Sequence, residues 1–155
     1  MRKTKFLALA VVATVAAVGY IAAAADDRAA AYKEELAKLA GTWQHVSAEK
    51  DGQSAPEDRV KAHTLVITGD HYAVRMNGKM IEEGTFYIDP SRKPKVIDAY
   101  PAEGKVLKGI YEIGEDDTIR ACFAHPGSDA ARPTEFSTTQ GTGHVLQVCK
   151  RVKAK

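Results

Sequence analysis

The residues of this chain whose types lend themselves to chemistry are its histidines, two cysteines, and a few acidic and hydroxyl side chains. The histidines are His45, His63, His71, His125 and His144. A zinc site takes three or four ligands, often at short spacings such as H-x-x-x-H. No two histidines stand at that spacing, so no metal site is expected and the histidines read as surface or loop residues. His125 lies beside Ser128 and Asp129, the residue types of a nucleophilic relay. No G-x-S-x-G elbow accompanies them, and Pro126, Gly127, Ser128 and Asp129 together read as turn chemistry. Glu82-Glu83 and Glu115-Asp116-Asp117 are adjacent carboxylates. Acid–base catalysis needs two carboxyls in one cleft with divergent pKa values. Neighbours on a strand point to opposite faces, so these read as solvated charge. No catalytic residue and no cofactor is expected.

Cys122 and Cys149 each fall in an apparent strand. In an oxidising compartment they bridge if their Cα atoms come within about 7 Å. The alternative is two half-buried thiols acting as small apolar side chains.

The compartment is read from the N-terminus. Arg2, Lys3 and Lys5 precede an uncharged run from Phe6 to Ile21, followed by small residues to Ala25 and then Asp26-Asp27. This is the pattern of a secretory signal peptide over 1–25, with Ala23 and Ala25 as the small residues of the cleavage site. The alternative is an uncleaved membrane anchor, since Phe6 to Ala25 is just long enough to span a bilayer. The protein is therefore expected to be exported, to the periplasm or cell envelope or beyond. The chain carries 22 Lys and Arg against 20 Asp and Glu. Three of the basic residues belong to the signal, which leaves 19 against 20. A near-neutral domain excludes the basic patch of a nucleic-acid binder. The run Lys150, Arg151, Lys153 and Lys155 reads as a charged tail.

The elements that must position any site follow from the period of the apolar residues. Residues 26–40 read as a short helix, with Tyr32, Leu36 and Leu39 on one stripe and Gly41 as its stop. The period then changes to two. Eight short strands are predicted, near 43–49, 65–67, 72–76, 81–89, 95–100, 105–113, 118–124 and 144–152. Asn77-Gly78 is a hairpin signal because both residues tolerate positive φ. The loop from Lys50 to His63 is long and polar, and Pro56 is placed to start a helical turn there. Eight antiparallel strands with no second long helix predict an all-β, up-and-down meander over 41–155 that closes into a barrel. Such a barrel is either filled by side chains or holds one small ligand.

The order of motifs resembles a known group. Leu39-Ala40-Gly41-Thr42-Trp43, Glu83-Gly84-Thr85-Phe86, Asp89-Pro90, Pro94-Lys95-Val96-Ile97-Asp98, Gly109-Ile110-Tyr111-Glu112, Cys122-Phe123-Ala124 and Arg132-Pro133-Thr134-Glu135-Phe136 follow one another. Over residues 35–152 this is similar to the uncharacterised lipocalin-like domain family expanded in planctomycete bacteria. The resemblance implies a lipocalin-like barrel in an exported setting and brings no activity or substrate. Gly41-x-Trp43 is also similar to the G-x-W that opens the first lipocalin strand. That likeness implies a structural role for Gly41, Trp43 and a basic partner late in the last strand, Arg151 or Lys150.

Two functions from different classes follow. In one, Tyr72, Phe86, Tyr111 and Phe123, on one face of four strands, line a concavity for a small apolar or amphipathic ligand. In the other they pack a filled barrel, and the protein is an interaction or structural module acting through its surface. Arg132, Glu135 and Phe136, the last able to insert into an apolar interior, are read as a rim loop touching a ligand or partner, or else as a rigid plug with Arg132 and Glu135 in local polar bonds. No protein partner is identified, and contact with a membrane is expected only through the signal segment if it is retained.

Overall fold

A computed structural model describes residues 13–125 and 130–153, with side chains from Ala24 onward. Helix α1 (Ala13–Leu39) leads into a nine-stranded antiparallel sheet. The strands are β1 (Gly41–Lys50), β2 (Gln53–Ser54), β3 (His63–Thr68), β4 (His71–Met76), β5 (Lys79–Asp89), β6 (Lys95–Pro101), β7 (Leu107–Ile113), β8 (Thr118–Ala124) and β9 (His144–Arg151). Each of β3 to β9 pairs with its sequence neighbour, and β9 returns to pair with β1. Closure leaves no free edge among these eight strands. The two-residue β2 is an appendage on the end of β1.

The eight-strand antiparallel barrel is the architecture that the alternating pattern predicts. Asn77 and Gly78 both take positive φ at the β4–β5 turn, as a two-residue hairpin loop requires. Pro56 sits at the N-terminus of a five-residue helix, α2 (Glu57–Lys61), in the long loop. The helix α1 is longer than the 26–40 expected, because it starts at Ala13 and runs through the Ala25–Asp26 junction. Alanine, the strongest helix former, dominates that stretch, so no local signal interrupts the helix there. The basic start at Arg2, Lys3 and Lys5 and the front of the apolar run lie outside the described residues. So do Pro126, Gly127, Ser128 and Asp129, and Lys155. Among the described residues no helix is long and apolar enough to cross a membrane.

The C-terminal turns of α1 close one end of the barrel. Tyr32 and Leu36 pack against the core, and Leu39 is buried in it. Tyr32 stacks on Tyr87, ring centroids 5.8 Å apart. Trp43 is fully buried beside Leu39, and its Nε1–H donates to the Leu39 carbonyl at 2.8 Å. The guanidinium of Arg151 lies 4.0 Å from the centre of the Trp43 ring. Its Nη1 and Nη2 donate to the carbonyls of Ala40 (2.7 Å) and Lys38 (2.6 Å). Arg151 thus caps carbonyls that the end of α1 leaves unpaired and brings a positive charge to the negative end of the helix dipole. Gly41 lies at φ +132°, and a Cβ there would stand 2.8 Å from Arg151 Nη1. Only glycine allows the arginine to cross at this point.

Beneath the floor lies a buried polar cluster. Glu35 on α1 is 4% exposed, pairs with Lys95 of β6 and accepts from the Tyr111 hydroxyl at 3.1 Å. Lys38 stands 3.9 Å away. Burial and the Glu35 charge raise the Tyr111 pKa well above the ordinary tyrosine value.

The segment after β8 departs from expectation. Arg132, Glu135 and Phe136 neither rim the mouth nor plug the interior. They lie across the outer face of β6 to β8. Arg132 pairs with Asp98 at 2.7 Å and donates to the carbonyls of Ile97 and Gly109. Phe136 lies under the Arg120 guanidinium at 4.7 Å, and Glu135 accepts from Ser137. Asp98 and Arg120 alternate with the inward residues Ile97, Ala99, Ile119 and Ala121, so they face outward. Pro133, Ile110 and Cys122 are buried outside the main core cluster. A proline-bearing strap has enough apolar surface of its own to cover an outer face, and that burial wins over the mouth.

Of the two readings of the cysteines, the structure shows buried thiols and no disulfide. Cys122 and Cys149 are free and buried. Cys149 pairs across from Ile119 and faces the interior, whereas Cys122 pairs with Leu146 and faces the strap, donating to the Ser137 carbonyl. Three residues of register and opposite faces of one sheet keep the sulfurs apart. Burial pushes the Cys149 thiol up to about 12.

Candidate functional site: the barrel cavity

The interior is not filled. A cavity of about 960 Å³ occupies the barrel above the Leu39 floor, at the upper end of the range usual for small-molecule pockets. Strand parity explains its wall. Tyr72, Phe86, Tyr111 and Phe123, the four aromatics expected on one face, all line it. Gly109 sits across from Phe123 in the ladder, and a Cβ there would stand 2.5 Å from the Phe123 ring. The missing side chain is what lets that ring lie against the wall.

The cavity is graded along its axis. Towards α1 its lining is Leu39, Ile67, Phe86, Ile97, Ile119 and Tyr111, whose hydroxyl is turned down to Glu35. Polar groups gather towards the other end, where β1 finishes and β3 begins. Glu49 accepts from Thr138, Glu82 accepts from the Tyr72 hydroxyl at 2.7 Å, and Asp51 accepts from the Gly141 amide. Burial, with the bond to Glu82 second, raises the Tyr72 pKa well above its ordinary value. Arg59 of α2 lines the same end, and α2 packs on β1 and β3 through buried Val60. The Gln44 amide fixes that packing by donating to the carbonyls of Lys61 and His63.

His45 and His63 are functional candidates that spacing along the sequence did not single out. Extending the β1–β3 register places them across from each other, and their ring centroids are 6.0 Å apart. Both line the cavity. The available signal was parity, since His45 is two residues after inward Trp43 and His63 two before inward Leu65. A bulge between His45 and Ser47 then turns Val46 outward and keeps Ala48 inward. His63 Nδ1 lies 2.7 Å from the Arg59 carbonyl. His45 is 7% exposed, and its Nε2 has no hydrogen-bond partner among the described residues. Among those residues no three His, Cys, Asp or Glu side chains are grouped to hold a metal ion.

Burial, reinforced by His63, pulls the His45 pKa from 6.5 to about 4. Between those two values the unfolded chain binds a proton that the folded chain refuses. Stability from this group is therefore complete above pH 6.5 and declines as pH falls towards 4. We expect acidification from pH 7 to pH 5 to cost about 2 kcal/mol through His45. Urea midpoints at the two pH values measure it. His45→Leu should flatten the difference, and an unchanged difference in that variant would contradict the assignment.

Compared with known proteins, the chain matches no family model, no curated protein and no solved structure.

Proposed function

We propose that this protein is an exported carrier whose barrel holds a small apolar or amphipathic molecule in the cell envelope. The observation that carries the reading is the empty, aromatic-walled cavity of about 960 Å³. Unfilled apolar volume on this scale forgoes dispersion contacts that side chains would otherwise make. A protein that worked only through its surface would gain stability by filling it. The basic and apolar N-terminus supports export, and so does the motif order similar to a lipocalin-like planctomycete family.

The runner-up, an interaction module, has one specific observation in its favour. Met76, Met80 and Ile81 on the β4–β5 hairpin are each more than two-fifths exposed, which suits contact with another surface. Its premise of a filled barrel has no counterpart in this interior. Native mass spectrometry of the protein from its own cells tests the carrier reading. One retained small molecule per chain supports it, and a bare chain with no uptake of added apolar ligands overturns it.

A further inference from the structure

Resting on the carrier reading, we infer that the cavity takes a single-chain amphiphile tail first, with an anionic head group held at the open end by Arg59, His45 and His63. Two independent features of the lining carry this.

The first is the gradient of polarity. The lining nearest α1 is hydrocarbon, and Tyr111, its one polar residue, has its hydroxyl committed to Glu35. A charged head group lowered there would lose its hydration with nothing to replace it. An alkyl tail finds the contacts it needs, and each buried CH₂ tightens binding by about fourfold. The head group is thereby left at the end bounded by α2.

The second is the balance of unused partners at that end. The carboxylates there are already engaged within the protein, Glu49 by Thr138, Asp51 by Gly141 and Glu82 by Tyr72. The cations are not. Neither Arg59 nor Lys50 has an ion pair among the described residues, and both line the cavity. The orphaned Nε2 of His45 adds a buried nitrogen that wants a partner. His63 faces it, and because a carbonyl only accepts, the contact with Arg59 O requires the proton on Nδ1. Three carboxylates face two cations at this end, but the carboxylates are each bonded to a neutral donor while Arg59, Lys50 and His45 Nε2 are not, so the groups left unused are ones that pair with a ligand's oxygens. A carboxylate supplies such oxygens, and bidentate pairing with a guanidinium is the strong form of the contact.

Trp43 is the only tryptophan in the chain and lies at the floor, so it reports which end of a ligand is deep. The experiment titrates the full protein with hexadecanoate brominated near its methyl end, then with hexadecanoate brominated next to its carboxylate, following Trp43 fluorescence. Hexadecanol and hexadecyltrimethylammonium are titrated in competition. We expect the methyl-end bromines to quench Trp43 more strongly. We also expect hexadecanoate to bind about tenfold more tightly than either competitor. Arg59→Gln should remove most of that preference, weakening hexadecanoate far more than hexadecanol. Arg59 is exposed on a short surface helix, so the variant tests recognition and not folding. Stronger quenching by the carboxylate-end bromines overturns the orientation. Equal affinity for all three chains overturns the anionic head group while the carrier reading stands. Failure of every chain to bind overturns both.

Discussion

Replacing Glu35 with alanine is expected to destabilise the protein by about 2–4 kcal/mol, because the buried Tyr111 hydroxyl loses its acceptor, at about 1–3 kcal/mol, and the partly exposed Lys95 loses its ion pair. Glu35 is almost fully enclosed where α1 crosses the barrel end. Its carboxylate accepts from both the Lys95 ammonium and the Tyr111 hydroxyl. Without it, a cation and a buried hydroxyl lose their partner together, and the docking of α1 loses its anchor. Glu35→Gln keeps an acceptor for Tyr111 and gives up the charge, so its cost should be smaller. The double variant Glu35→Met/Lys95→Met removes both charges and fills similar volume. It should recover most of the loss, since apolar replacements of a buried pair are often neutral or better. Chemical denaturation of the three variants decides the matter. A loss below about 1 kcal/mol for Glu35→Ala would mean that α1 does not rely on this contact.

Trp43→Ala is expected to cost somewhat more, about 3–5 kcal/mol, with a fall in Tm on the order of 10–15 °C. The indole is fully buried, supports Leu39 through its N–H, and lies under the Arg151 guanidinium. Truncation opens a void at the floor and leaves Arg151 over it. The arginine keeps its two carbonyl partners on α1, so α1 should stay helical while the floor loosens. Thermal melts followed by circular dichroism measure this. The Trp43→Ala and Arg151→Met double-mutant cycle should show a coupling of about 1–2 kcal/mol, within the range for a cation held on an indole face. Additive effects would mean that the two residues act separately. A floor loosened in this way should also weaken any ligand whose tail reaches it.

These effects trace back to patterns that were readable in the sequence to different degrees. The barrel was legible because one face of each strand is buried, so period-two alternation survives in Tyr72/Val74, Phe86/Ile88 and Ile119/Ala121/Phe123. The turns were legible where a residue must take positive φ, as at Asn77-Gly78. The cavity wall was half legible. The same four aromatics can fill an interior or line one, and only the distances across the barrel distinguish these. His45 and His63 read as surface or loop histidines because they are 18 residues apart. Only the β1–β3 register makes them neighbours, and a search for metal-ligand spacing along the chain passes over a cross-strand pair. Arg132, Glu135 and Phe136 read as a rim loop or a plug because they join the seventh and eighth strands. Nothing local in Arg-Pro-Thr-Glu-Phe says that the segment folds back along the outside, where the Asp98 carboxylate and the face of Ile110 and Cys122 await it. The cysteines left two readings open for a related reason. They lie on adjacent strands, but a three-residue offset in register puts them on opposite faces, which composition and compartment cannot reveal.

The central claim is that the interior volume exists to hold a ligand. Native mass spectrometry of the wild-type protein and of Ala121→Phe, both purified from the native cells under non-denaturing conditions, tests it most directly. Ala121 lies on the cavity wall at the margin of the core cluster, and a phenyl group there would project into the cavity. The wild type should carry one small-molecule mass per chain that is released on unfolding. The variant should fold, as read by an unchanged circular dichroism spectrum, and should carry none. Bare masses for both proteins, with no uptake of added fatty-chain ligands, would contradict the claim and leave a hollow barrel that works through its surface.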